Sequence, residues 1–179
     1  MKQKRILTVQ DLSCLGKCSL SMSAAIISAM GHEAVCLPTA LLSTHTGEFK
    51  DYTFLNLAEE NKNILNHWES LNLSFDGILV GYLGGLEQIE NTISLINRFG
   101  KGAFVVVDPA MADGGELYAG FTDEYVERMK TLCNMADVIT PNADEAKLLS
   151  GFVSCPVIET GVTKKNEIGV RFQGKEWLK

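Results

Sequence analysis

The sequence predicts an α/β protein of three layers, with a mostly parallel central sheet and helices on both faces. Three observations predict it. Short β-rich runs alternate with segments whose apolar residues recur at helical spacing. The most apolar run, Ala-Phe-Val-Val-Val at 103–107, lacks any polar alternation, as a strand buried on both faces requires. No internal repeat or low-complexity segment breaks the alternation, and β–α alternation of this length implies parallel strands joined by helical crossovers.

The elements follow in order. Residues 6–9 form the first strand, and a helix near 19–30 places Leu20, Ala24, Ile27 and Met30 on one face until Gly31 stops it. Residues 34–37 form the second strand. From Pro38 to Thr53 the chain is rich in Thr, Ser and Gly and includes His45, so it reads as a loop or irregular flap of the kind that often carries function. Residues 59–71 are amphipathic, with Ile64, Leu65, Trp68 and Leu71 on the apolar side, and a strand at 77–80 follows. The pattern repeats with a helix at 87–99 through Ile89, Ile93, Leu95 and Ile96, then the strand at 103–107. Helices at 122–135 and 143–149 flank a short strand at 138–139, and strands are expected at 157–158 and 169–172.

Composition bounds the function. With 179 residues, 46% hydrophobic and 21% charged, the chain suits a single soluble domain over 1–179. A net charge of −6 argues against a broad basic face, so neither nucleic acid nor an anionic membrane is an expected partner. A phosphate partner must then be met locally or with a metal ion. No apolar run approaches the roughly 20 residues of a membrane helix and no signal-peptide pattern opens the chain, which points to the cytoplasm. Five scattered cysteines (Cys14, Cys18, Cys36, Cys133, Cys155) read as reduced thiols. Cys14 and Cys18 have no second ligand cluster, and His32, His45 and His67 stand far apart.

Ligands of open parallel sheets bind beyond the carboxyl ends of the strands, where loops and helix N-termini converge. The strands exit into Gln10-Asp11, Pro38-Thr39, Gly81-Tyr82, Asp108-Pro109, Thr140-Pro141-Asn142 and Glu159-Thr160-Gly161. Polar residues at loop entries are common, and only their recurrence along one edge argues for a site.

Taken together, these stretches resemble the pyridoxal kinase branch of the ribokinase-like family. Residues 8–16 (TVQDLSCLG) look like its opening strand and turn, residues 37–47 (LPTALLSTHTG) like its second strand and flap, and Gly81-Tyr82-Leu83-Gly84 like its third exit. Residues 108–113 (DPAMAD) and 140–145 (TPNADE) continue the match in order, over about the first 150 residues. The resemblance implies an ATP-dependent, Mg²⁺-requiring kinase that phosphorylates the 5′-hydroxyl of pyridoxal, pyridoxine or pyridoxamine. It implies a substrate site of Asp11, Thr39, His45 and Tyr82, with Tyr82 covering a flat ring and Asp11 accepting a hydrogen bond from a protonated ring nitrogen. It also implies an ATP site of Asp108, Asp113, Thr140, Asn142 and Thr160, with Asp113 and Glu145 toward the metal; carboxylate oxygens suit Mg²⁺. Relatives are generally dimers, so a homodimer is expected.

Each residue also has a plain structural reading. Asp11 suits a turn cap, Thr39 a loop residue after proline, His45 a solvent-exposed side chain, and Asp108-Pro109 a strand-ending turn. Asn142 with Glu145 three residues on is equally an ordinary capping box.

The resemblance breaks near the end of the sequence. Family members draw the base that deprotonates the hydroxyl, and an anion hole for the transferred phosphate, from a Gly-x-Gly-Asp element, which is absent from these 179 residues. No catalytic residue is therefore assigned. The interval between Gly151 and Val157 is also too short for the helix that relatives place there. An incomplete family member is expected, with a non-catalytic pyridoxal-binding or partner-binding remnant and a hydroxymethylpyrimidine kinase as the alternatives.

Overall fold

Residues Arg5–Leu15 run as one strand, β1, well past the expected end at Val9. The extension is possible because its polar residues find partners inside: Gln10 donates through Nε2 to the hydroxyls of Thr8 and Ser23 (both 2.8 Å), and Ser13 donates to Asp11 (3.2 Å). The computed structural model describes residues 2–47 and 49–179, and the chain divides into two compact units, Met1–Val105 and Val106–Lys179.

In the first unit β1 is followed by α1 (Ser19–Ala29), β2 (Glu33–Thr44), β3 (Phe54–Asn56), α2 (Ala58–Ser70), β4 (Gly77–Val80) and α3 (Leu86–Phe99). The strands lie in the order β3-β2-β1-β4, with β1 parallel to both β2 and β4 and β3 antiparallel to β2. The flap expected from Pro38 is therefore strand as far as Thr44, because β2 stays paired with β1 up to Leu15–Thr44. Pairing slips once, between Gln10–Pro38 and Leu12–Leu41, so that Thr39 and Ala40 together face Asp11. Such a bulge beside a proline re-aims side chains at a strand's end.

Leu7, Val9, Leu37, Ile78 and Val80 fill the sheet's core with Ile89 and Leu95 of α3. Each contributes about 1.5–3 kcal/mol when fully buried. Phe75 packs between Trp68 and Phe99, with ring centroids 5.9 and 5.8 Å away. The α1 face is narrower than expected: Leu20 and Ile27 are buried, whereas Met30, just past the helix, is exposed.

Strand β5 (Phe104–Val107) begins in the first unit, where the Phe104 N–H donates to the Asp76 carbonyl (3.0 Å). Its last residues, Val106 and Val107, belong to the second unit and pair in parallel with Val138 and Ile139 of β8 (Val138–Ile139). Burial on both faces holds only in part, since Phe104 is exposed.

The second unit continues through the hairpin β6 (Ala112–Asp113) and β7 (Glu116–Leu117), α4 (Asp123–Cys133), β8 and α5 (Ala143–Leu149). Gly114 and Gly115 form the two-residue hairpin turn with φ of +63° and +85°, the left-handed conformation such turns require. Thr122 caps α4, and Tyr125, Met129 and Leu132 form its buried face. The parallel strand expected at 157–158 is reduced to a single bridge between Ile139 and Val157. From there the chain enters an antiparallel meander of β9 (Ile158–Lys164), β10 (Glu167–Phe172) and β11 (Lys175–Leu178), cross-linked by Arg171 to Glu159 and Glu176 (both 2.8 Å). The fold is α/β with a mostly parallel sheet, as the alternation predicts, and no helix among the described residues is long and apolar enough to cross a membrane.

Candidate functional site

In the first unit the register sets the ring-binding candidates on one sheet edge. The Gly81 N–H donates to the Val9 carbonyl (3.0 Å), so the β4 exit starts beside Gln10 and Asp11, and the bulge brings Thr39 alongside. Asp11 is buried and its carboxylate accepts the Ser13 hydroxyl. Thr39 is fully buried, and its hydroxyl donates to the Tyr82 carbonyl (3.1 Å). Its hydroxyl proton is thereby spent on the protein, where it holds the Tyr82 peptide. Tyr82 itself is half-buried.

His45 follows β2, with Nδ1 accepting the Gly47 N–H (3.3 Å) and its ring meeting Phe49 edge-on at 5.0 Å. Its other neighbour is Gly16, where a Cβ would come 2.7 Å from His45 Cδ2. With φ at +95°, Gly16 is needed both for the turn after β1 and for this approach. Asp11 and Thr39 thus lie inside β1 and β2 and not past their ends as the sequence suggests, because both strands run on, whereas Tyr82 and His45 follow β4 and β2 of the same sheet.

In the second unit the phosphate-side candidates form an acidic loop cluster. Asn142 caps α5, its Oδ1 accepting the N–H groups of Asp144 (2.9 Å) and Glu145 (3.0 Å) while Glu145 returns Oε2 to the Asn142 N–H (2.8 Å). The capping box is real, and it does more than cap. Glu145 Oε1 accepts the Met111 N–H (3.0 Å) and Asn142 Nδ2 donates to the Ala112 carbonyl (2.7 Å), so the pair grips the loop that follows Asp108. Thr160 lies inside β9 rather than past a strand end. Its N–H (2.8 Å) and hydroxyl (3.3 Å) both donate to the Pro141 carbonyl, bracing the turn before Asn142. Thr140 donates its N–H to the Val107 carbonyl (3.0 Å), which carries the β5–β8 pairing to its end.

Charge concentrates at Asp108. It keeps an open face to solvent, yet the protein around it strips enough water, and Glu145 lies near enough, to push its carboxyl up to about 7. Burial likewise pushes Glu145 up, against the pull of the three amides it accepts. Tyr118 is raised by burial and by the same carboxylates.

These groups fit Mg²⁺ in part. No hydrogen bond reaches the Asp108 carboxylate among the described residues, and a water-clad cation beside it would relieve its raised pKa. Both Glu145 oxygens are already engaged by main-chain amides, and the exposed Asp113 accepts the Gly114 N–H (2.9 Å). Among the described residues no three His, Cys, Asp or Glu side chains converge on one point. The open carboxylate is Asp108, which the sequence assigns to phosphate and not to metal. A cleft of about 320 Å³ walled by Leu117 and Leu148 lies beside α5, but none of Asp108, Asn142 and Thr160 lines it.

Sequence reasoning assigned no role to Gly16. Its signal is a glycine closing the opening stretch 8–16, and its close approach to His45 is visible only in the fold.

The mostly parallel α/β sheet with polar residues along its strand exits has the ribokinase-like fold. The family model for phosphomethylpyrimidine kinase matches residues 24–169, and the chain belongs to that family. It is similar to a Bacteroides thetaiotaomicron protein described as a candidate phosphomethylpyrimidine kinase and crystallised with pyridoxal, at 34% identity and TM-score 0.84, covering 97% of this chain and 70% of that one. It has the fold of pyridoxal kinase from Lactobacillus plantarum, at 29% identity and TM-score 0.88, covering 99% and 72%. A candidate pyridoxal kinase of Schizosaccharomyces pombe is 30% identical over 154 residues, covering 83% of this chain and 48% of that protein. The chain spans about half the length of the curated pyridoxal kinase relatives it matches.

Proposed function

We propose that this chain carries the vitamin-binding and phosphate-binding parts of an ATP-dependent, Mg²⁺-requiring kinase for the 5′-hydroxyl of pyridoxal, pyridoxine or pyridoxamine. The observation that carries the reading is the alignment of Asp11 and Thr39, at the β1–β2 bulge, with the β4 exit at Tyr82, in a chain 34% identical to a protein crystallised with pyridoxal. A pyridine ring with polar edge groups needs flat cover and a few fixed partners. Tyr82 supplies the cover, Asp11 an anionic acceptor for a ring N–H, and His45 the flap. In the second unit Asp108 faces the nucleotide phosphates and cation, and Asn142, Glu145 and Thr160 hold its loop. Mg²⁺, bound mainly through water and phosphate oxygens, would offset negative charge on the transferred phosphoryl group. The reading includes a cytoplasmic location and a homodimer, the latter checked by sedimentation.

The matching family favours a second reading, a hydroxymethylpyrimidine kinase. Competition calorimetry with pyridoxal and hydroxymethylpyrimidine, followed by assay for phosphorylated product with Mg·ATP, tests both. Pyridoxal binding displaced only weakly by the pyrimidine supports the B6 reading, and the reverse order overturns it. Pyridoxal binding without product leaves the chain a vitamin-binding module.

A further inference from the structure

We propose that Gln88 is a positioning residue for the ring site: its buried amide holds Thr39, and through Thr39 the peptide of Tyr82. The inference rests on the reading that Thr39 and Tyr82 flank a vitamin ring. Gln88 stands in the first turn of α3, six residues after Tyr82, and is 1% exposed. Its Nε2 donates to the Thr39 carbonyl and to Asn56 Oδ1 (3.0 Å), and its Oε1 accepts from Asn61 Nδ2 (3.3 Å). The Thr39 carbonyl also takes the Leu57 N–H (3.1 Å), so α3, the β3–α2 junction and the β2 bulge meet at one oxygen. From there the Thr39 hydroxyl reaches the Tyr82 carbonyl, and the loop 82–88 becomes a closed circuit.

An apolar side chain cannot stand in for the amide: leucine would fill the same volume but leave Asn61 Nδ2 buried without its acceptor, where Asn61 Oδ1 already has no partner among the described residues. A buried amide that donates both to the backbone of a ligand-facing bulge and to the Asn56 side chain fixes that bulge in direction as well as in position.

Gln88→Leu keeps volume and helix propensity and removes both donors. Calorimetric titration with pyridoxal and, separately, with Mg·ADP is expected to show pyridoxal affinity weakened roughly tenfold, the loss of one well-placed hydrogen bond. Mg·ADP affinity is expected to hold within about twofold, because its candidates lie in the other unit. An unchanged pyridoxal affinity, or an equal loss for both ligands in a folded chain, overturns the proposal. If Gln88→Leu fails to fold, Thr39→Val decides. It removes only the link to Tyr82, and the same selective weakening is expected; no weakening overturns the proposal. Wild-type chain that binds no pyridoxal overturns the functional reading and this inference with it, whereas wild-type binding with an unmoved Gln88→Leu overturns this inference alone.

Discussion

Asp108 is a residue whose environment sets a pH dependence. Its folded-state carboxyl is raised, to about 7, above the ordinary value of 3.8, chiefly by burial and then by Glu145. The folded chain therefore holds a proton there that the unfolded chain has lost across the interval from about pH 4 to 7, and the residue's contribution to stability falls as pH rises through that window. Asp108→Asn removes the titration. The melting-temperature difference, variant minus wild type, is expected to grow from pH 5 to pH 8; a flat difference refutes the assignment. Saturating Mg·ADP is expected to shrink it, since a cation favours the ionised form. Glu145 gives a second test. Glu145→Ala strips an acceptor from the amides of Asn142, Met111 and Ala112 and is expected to cost about 2–4 kcal/mol in urea unfolding, with Glu145→Gln costing less. Asn142 and Glu145 were legible from spacing as a cap, but their grip on the Asp108 loop was not. That grip depends on Met111 and Ala112, thirty-odd positions away, which no local pattern marks.

At the scale of elements, two glycines are points where sequence and packing must agree. Gly169 sits in β10 where a Cβ would fall 1.8 Å from the Trp177 carbonyl oxygen, so Gly169→Ala is expected to separate β11 from β10. Loss of amide protection at 175–178, with pyridoxal affinity unchanged, is the expected result; retained protection counts against it. Gly16→Ala meets both a left-handed backbone and the His45 ring, and is expected to cost about 1–3 kcal/mol and to weaken pyridoxal binding. Helices α2, α3, α4 and α5 were legible within a residue or two because amphipathic spacing is local. β1 and β2 were cut short in the sequence reading because buried Gln10, Asp11, Ser13 and Thr39 look like loop residues until their tertiary partners are known. The closing meander was legible only as the strand at 169–172, part of β10, because its strands are charged and its antiparallel pairing is set by the turns at Lys165-Asn166 and Gln173-Gly174.

For the whole molecule, the division after Val105 separates the two sets of candidates: every ring-side residue precedes it and every phosphate-side residue follows it. The alternation of strands and helices gives no hint of that division, because the boundary falls inside the continuous apolar run of β5. A ligand that binds only the native state stabilises what it touches by about 2.7 kcal/mol at a hundredfold excess over its dissociation constant. Local opening, unlike global unfolding, reports where that energy is deposited. Hydrogen exchange with pyridoxal present is therefore expected to slow amides at 10–16, 38–47 and 81–85, and exchange with Mg·ADP to slow those at 108–117 and 140–146. Pyridoxal protecting 108–117 while leaving 10–16 unchanged would reverse the assignment of the two halves. Protection of 10–16 by pyridoxal that also depends on Gln88 would tie the residue-scale network to the behaviour of the whole first unit.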